Sequence, residues 1–270
     1  MMITLNLVMG ICLIAGWACH GDQEFNAQGA VAYLSMIVLL TGIALVLPNY
    51  TSVAGNFSAT QAVGISVLTG LLYGVFLWMQ MRSHRRYFVQ PPQGSMTIKA
   101  MNILQTEQDT CISTSGSHAP RTLVIRACVL LALILPIVLL AHYLAIVMDY
   151  GIAATGAPIA VGGVFIAIIV FTPESITAVK AAMNDEMQRA INLCLGAFVS
   201  TVGLTVPAVL VIGLITGKQV IMGITNAEIV LFIITAALSV LTFNGQRTSL
   251  IQGYVHLTVF AVFGLLLFYP

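Results

Sequence analysis

Charged residues are scarce in this sequence. Asp, Glu, Lys and Arg make up 7% of the 270 residues, whereas 59% are hydrophobic. Soluble domains carry roughly 25% charged residues, and a solvated surface cannot be built from so few. The shortage excludes a soluble globular domain and predicts a polytopic membrane protein whose first partner is the lipid bilayer. The net charge of +1 gives no basic surface for a phosphate backbone, so nucleic acid is not expected as a partner.

Several motifs are absent as well. The five cysteines show no CxxC spacing of a zinc or redox site, and no HExxH or nucleophile–base pattern indicates an enzyme. The first apolar run, residues 3–18, follows no basic segment, so it is interpreted as a transmembrane helix and not as a signal peptide. We predict a protein that is not an enzyme and holds no cofactor, and an intramembrane enzyme is the weakest alternative.

Long apolar runs dominate what is present. A membrane-spanning helix needs about 20 mostly apolar residues, and no stretch alternates like the strand of a barrel. We therefore predict an all-α fold of about eight transmembrane helices. The predicted segments are residues 2–19, 30–47, 61–81, 123–148, 158–183, 190–215, 228–243 and 250–268.

One connection, residues 82–122, is long and polar. Its prolines and its serine- and threonine-rich run are typical of a mobile loop. It divides the single membrane domain into a three-helix piece, residues 1–81, and a five-helix piece, residues 123–270. When the loop is placed in the cytoplasm, nine of the ten Lys and Arg residues lie at the inner surface and only Lys218 lies outside. This bias follows the positive-inside rule and predicts a multi-pass protein of the plasma (inner) membrane with a cytoplasmic loop.

The same threading places the first residue outside the cell. An external N-terminus without a cleavable signal is unusual, so we expect that upstream helices are missing from this chain.

One acidic residue, Glu174, is enclosed by apolar sequence directly after Pro173. A charged side chain at the bilayer centre costs roughly 2.5 kcal/mol or more, so it indicates a functional site. Pro173 removes a backbone donor and is expected to break or kink its helix, which frees carbonyl oxygens beside the carboxylate. Such oxygens are ligands for a hard cation. We predict that Glu174 binds a proton and a metal ion in turn, which is the minimal chemistry of antiport.

Further residues are predicted to support this ion site. The neutral oxygen ligands are Thr172, Asn192, Ser200 and Thr201, and Pro207 is the second predicted helix-breaking residue. Taken singly, each hydroxyl is better explained by a hydrogen bond to its own helix. The hypothesis therefore depends on the carboxylate.

Two histidines, His142 and His256, lie in apolar segments. A proton relay is possible at each. The interpretation that we favour is a neutral histidine, packed and hydrogen-bonded between helices.

The hairpin at residues 158–207 also resembles a known family. Its sequence PESITAVKAAMNDEMQRAINLCLGAFVSTVGLTVP, residues 173–207, is similar to the second conserved repeat of the ChaA-type calcium/sodium–proton antiporters, within the calcium/cation antiporter superfamily. The segments LVLPNYT at 45–51 and YGVFL at 73–77, and the later residues Gly245, Arg247, Thr248, Gly253 and His256, fit the family as well. The resemblance implies an exchanger of protons against calcium, sodium or potassium, with Glu174 as the acid of the second repeat. Asn192, Ser200 and Thr201 would be supporting positions.

The sequence departs from the family in two respects. Ala197 stands where Ser is usual and Ser249 where Asn is common. Members of the family carry two inverted repeats, each with an acidic helix, and only the second is recognised here. The chain is therefore expected to need an N-terminal repeat, or a second copy of itself, to complete the ion site. The alternative hypothesis is a non-transporting remnant or scaffold.

Overall fold

The computed structural model describes residues 1–51, 55–82, 85–91, 120–156, 158–217 and 220–269. These residues form eight helices long and apolar enough to cross a membrane, and no strand occurs among them. The all-α, multi-pass prediction is confirmed. Most of the loop predicted at 82–122 lies outside the described residues.

The helices are numbered α1 to α8 in chain order. α1 begins with a π-helical stretch, Met2–Val8, and continues as Met9–His20, while α2 runs through Ala27–Thr41, the π turn Gly42–Val46 and the 3-10 turn Leu47–Tyr50. The others are α3 (Ala59–Met81), α4 (Pro120–Thr155), α5 (Ile159–Met183), α6 (Met187–Thr216), α7 (Asn226–Phe243) and α8 (Leu250–Phe268).

Polar caps set where several helices begin. Asn26 caps α2 by accepting a hydrogen bond from the backbone N–H of Gln28. Ser58 and Gln61 form a reciprocal capping box at the start of α3, and Ser249 and Gln252 form the same box at the start of α8. Such caps satisfy backbone donors that the helix itself cannot.

Neither predicted helix-breaking proline ends its helix. α5 continues through Pro173 and α6 through Pro207. A proline removes one backbone hydrogen bond, and the neighbouring turns of a membrane helix can keep the remainder. The expectation that these residues break the helices is therefore wrong, although each still leaves a carbonyl one turn earlier without its usual partner.

The described residues form two compact bodies. The larger comprises residues 1–99 and 168–270, and the smaller comprises residues 100–167. In the larger body α1 packs against α8, and α6 packs against both α2 and α3. Its core consists of large side chains that are almost fully buried, among them Leu5, Leu13, Tyr33, Leu195 and Phe243.

Four chain segments meet at one end of the larger body, which we call the loop side. They are residues 21–26, 85–91, 182–189 and 244–249. Gln23 exchanges hydrogen bonds with Thr248, and its side chain donates to the carbonyl oxygen of Ala182. Arg247 forms an ion pair with Glu24. The eight-helix threading predicts that these segments share one side of the membrane, and their contacts agree with it.

Candidate ion site

Glu174 lies within α5, and its side chain is exposed at the surface of the chain. Apolar sequence on both sides of a residue determines the surrounding medium, but it does not require protein atoms to cover the side chain. Ala178 and Ala181 follow at four and seven residues, so they share a helix face with Glu174. Both alanines are buried. The helix face that carries Glu174 is therefore packed against protein one turn further along, at Ala178, but it is uncovered at Glu174 itself.

A groove of about 390 Å³ lies along a different face of α5 from the one that carries Glu174. Apolar side chains of α1, including Ile3 and Val8, form one wall, and α5 contributes Thr172 and Ser175 on either side of Glu174 in the sequence. Lys180 also lines it. The groove is thus apolar with a few hydroxyl groups, and it brings α1 next to the predicted ion-binding helix.

The three predicted hydroxyl ligands all donate hydrogen bonds to their own helices. Thr172 donates to the carbonyl oxygen of Ile168 at 2.6 Å. Ser200 and Thr201 both donate to the carbonyl oxygen of Ala197, at 2.9 and 2.8 Å. A donating hydroxyl keeps its lone pairs, so these bonds hold the oxygens in place without removing them as possible ligands.

Asn192 is the predicted supporting residue with the most contacts. Its amide oxygen accepts a hydrogen bond from Gln188 at 3.0 Å, and its amide nitrogen donates to the carbonyl oxygen of Phe88 at 2.6 Å. Both ends of the amide are therefore engaged. Among the described residues, no hydrogen bond joins Glu174 to Asn192, Ser200 or Thr201, so the structure does not assemble the predicted set around one point.

No three His, Cys, Asp or Glu side chains converge in the ranges that the structure describes. The assignment of Glu174 as a metal ligand stays a prediction.

A buried polar network was not predicted as a unit. His256 is fully buried, with Nδ1 at 3.0 Å from Asn6 Oδ1 and Nε2 at 3.1 Å from the hydroxyl oxygen of Thr242. The amide nitrogen of Asn6 donates to the hydroxyl oxygen of Thr235 at 2.9 Å. This confirms the favoured interpretation of His256 as a histidine packed and hydrogen-bonded between helices. His142 differs, because it is exposed on α4 and its ring contacts Tyr143.

The signal that could have identified Asn6 is a short internal repeat. LNLVMGI at residues 5–11 parallels INLCLGA at residues 191–197, so Asn6 corresponds to Asn192 and Gly10 to Gly196. The packing at the two matched glycines differs, because Gly10 of α1 lies against Gly253 and Leu257 of α8, whereas Gly196 of α6 lies against Tyr33 of α2. Because α1 and α6 are the first and sixth spans, they run in opposite directions, as expected for inverted repeats.

One protein family matches most of this chain. The family described as "Sodium/calcium exchanger protein" matches residues 1–82 and 125–269 of this chain. The chain belongs to the sodium/calcium exchanger family. The match covers the segments on both sides of the long loop. It includes the first three helices, in which no separate repeat was recognised from the sequence.

Curated relatives of this sodium/calcium exchanger family member are transporters by name. An ionic transporter named y4hA of Sinorhizobium fredii is 35% identical over 98% of this chain and 68% of its own length. The sodium-potassium/proton antiporter ChaA of Escherichia coli is 27% identical over 99% of this chain and 69% of its own length. The Ca(2+)/H(+) antiporter ChaA of Bacillus subtilis is 22% identical over 96% of this chain and 70% of its own length. The non-transporting alternative is not favoured by these relatives.

The fold of this family member matches a solved structure. The structure of native YfkE covers all of this chain with a TM-score of 0.68, at 18% sequence identity and over 72% of that chain. A likeness at this identity supports the arrangement of the helices. It says nothing about which cation is bound.

Proposed function

We propose that this protein exchanges calcium, sodium or potassium ions for protons across the plasma membrane. The observation that carries the proposal is the carboxylate of Glu174 within a membrane-spanning helix of a sodium/calcium exchanger family member. A carboxylate in apolar surroundings can be neutral when protonated and can instead be charged when a cation neutralises it. Alternation between these two states couples the movement of a proton to that of a cation.

The supporting residues act around Glu174 in this proposal. Thr172, Ser200 and Thr201 keep hydroxyl lone pairs that face away from their own backbone bonds. The carbonyl that Pro173 leaves without an N–H partner lies one turn before Glu174. Mixed neutral oxygens and one carboxylate suit a hard cation such as calcium or sodium. The proposed activity is transport and involves no enzymatic step or bound cofactor.

We further propose that another acid-bearing helix completes the site, contributed by an N-terminal repeat or by a second copy of this chain. One feature supports this: the carboxylate of Glu174 is uncovered although its helix face is packed one turn away.

Cation-driven proton movement in proteoliposomes tests the exchange. The purified protein is reconstituted with a pH-sensitive dye inside, and calcium, sodium or potassium is added outside in separate runs. Because cations that enter drive protons out, we expect the interior pH to rise for the wild type and for Glu186→Gln. We expect no change of the interior pH for Glu174→Gln. Glu186 is a suitable matched control because it lies between α5 and α6, outside the membrane-spanning helices, and forms an ion pair with the exposed Arg189. Equal fluxes in the two variants would contradict the role of Glu174.

A further inference from the structure

The segment that leads into the long loop lies across the loop side of the larger body. Residues 85–91, here called the strap, begin with the 3-10 turn Arg85–Phe88. The ring of Phe88 contacts those of Tyr33 in α2 and Phe76 in α3, with centroids 5.1 and 6.2 Å apart. The sequence pattern predicted only a mobile loop here.

Hydrogen bonds hold the strap to two helices. The Gln90 side chain donates to the carbonyl oxygen of Glu24 at 3.1 Å and accepts from the backbone N–H of Gln188 at 2.8 Å. The amide of Asn26, at the start of α2, donates to the carbonyl oxygen of Arg86 at 3.4 Å. Gly29 allows the strap to approach, because a Cβ there would overlap the carbonyl oxygen of Tyr87.

Gln188 is the centre of these contacts. It is fully buried, its side-chain oxygen accepts from the backbone N–H of Asn26 at 2.6 Å, and its side-chain nitrogen donates to Asn192. The other end of the Asn192 amide is bound to Phe88 of the strap. The orientation of Asn192 is therefore set jointly by Gln188 and by the strap.

We propose that the strap is a latch that closes the loop side over the start of α6, and that it must release Asn192 during each exchange cycle. This rests on the proposed function and on the prediction from the sequence that Asn192 supports the ion site. The amide oxygen of Asn192 keeps one lone pair beside the hydrogen bond from Gln188, but rotation of the amide toward a cation would break its bond to Phe88 or to Gln188. Gln188 is bonded within the body, whereas the strap continues directly into residues 92–119.

A reversible cross-link across the latch tests this proposal. Val89→Cys and Arg189→Cys are combined in the full chain after its native cysteines are replaced by serine. Both positions are exposed, and neither side chain forms a latch hydrogen bond. A short thiol-reactive linker with a cleavable disulfide then joins the strap to α6. Calcium, sodium and potassium are the probes, in the dye assay described above.

We expect the linker to slow exchange at least about tenfold, because a conformational step that gates turnover is blocked. Cleavage of the linker should restore the rate, and each single-cysteine variant treated with the same reagent should be unaffected. Exchange at an unchanged rate with the linker in place would overturn the latch.

A distance measurement decides the same question without transport. Spin labels at positions 89 and 189 are compared with and without calcium, at low and high pH. The latch predicts a second, longer distance population under at least one condition, and a single unchanged distance under all of them would overturn it. If the unlinked protein exchanges no ions, the proposed function fails, while the distances still test the latch.

Discussion

At the scale of single residues, the membrane-embedded polar side chains divide into two kinds. Asn6 and His256 are fully buried, and each bonds the other and a threonine of α7. Glu174 is exposed to the surroundings of the chain. A buried network with satisfied partners stabilises helix packing, whereas an uncovered carboxylate in a membrane span is a position where a ligand or another helix can bind.

Replacement of Asn6 by leucine should therefore destabilise the protein. Asn6→Leu keeps the branching at Cγ but leaves His256 Nδ1 and the hydroxyl of Thr235 without this partner. An unsatisfied buried polar group costs about 1–3 kcal/mol, so we expect the free energy of unfolding in detergent to fall by at least that amount. Thr258→Val is the control, because the Thr258 hydroxyl is exposed and bonds only its own helix at Tyr254, and its change should stay within about 0.5 kcal/mol. Equal thermal unfolding temperatures for the two variants would contradict the structural role of the network.

At the scale of helices, local sequence predicted the membrane-spanning segments well and predicted the contacts between them poorly. All eight predicted spans appear as helices, because hydropathy over some 20 residues is a property of contiguous sequence. α4 starts earlier than predicted, at Pro120. The prolines were over-interpreted, because the loss of one backbone bond does not end a helix that keeps its other turns.

The sequence pattern did not predict the docking of the strap, and the reason is physical. Its partners lie far away in the chain, with Gln90 66 residues from Glu24 and 98 from Gln188, and Phe88 104 from Asn192. A polar segment with prolines after it has no local feature that distinguishes a docked segment from a free one. The correspondence between Asn6 and Asn192, by contrast, was present in the sequence as two similar seven-residue segments. A search for internal repeats would have found it.

At the scale of the whole molecule, the loop-side contacts test the predicted topology independently of the distribution of Lys and Arg residues. Arg86, Arg189 and Arg247 belong to segments that lie together at the loop side. The opposite end is formed by residues 47–51, 55–58 and 220–225, where the side chain of Asn49 donates to the carbonyl oxygen of Ile224 and the backbone N–H of Met222 donates to that of Gly55. The proposed orientation places the basic end in the cytoplasm.

Thiol labelling of intact cells tests this orientation. Asn244→Cys on the loop side and Asn226→Cys at the opposite end both replace exposed residues. A membrane-impermeant maleimide should label Asn226→Cys in intact cells and should label Asn244→Cys only after the membrane is permeabilised. The reverse pattern would invert the proposed orientation, and labelling of both in intact cells would contradict the threading.

Infrared difference spectroscopy of the reconstituted protein tests the central claim most directly, namely that Glu174 exchanges a proton for a cation. Calcium, sodium or potassium is added at constant pH, and the C=O stretch of protonated carboxyl groups is followed. We predict that at least one of these cations removes a protonated-carboxyl band in the wild type and in Glu186→Gln, and that this band is missing from Glu174→Gln. A band of the same size in Glu174→Gln, or no cation-dependent band in the wild type, would contradict the account.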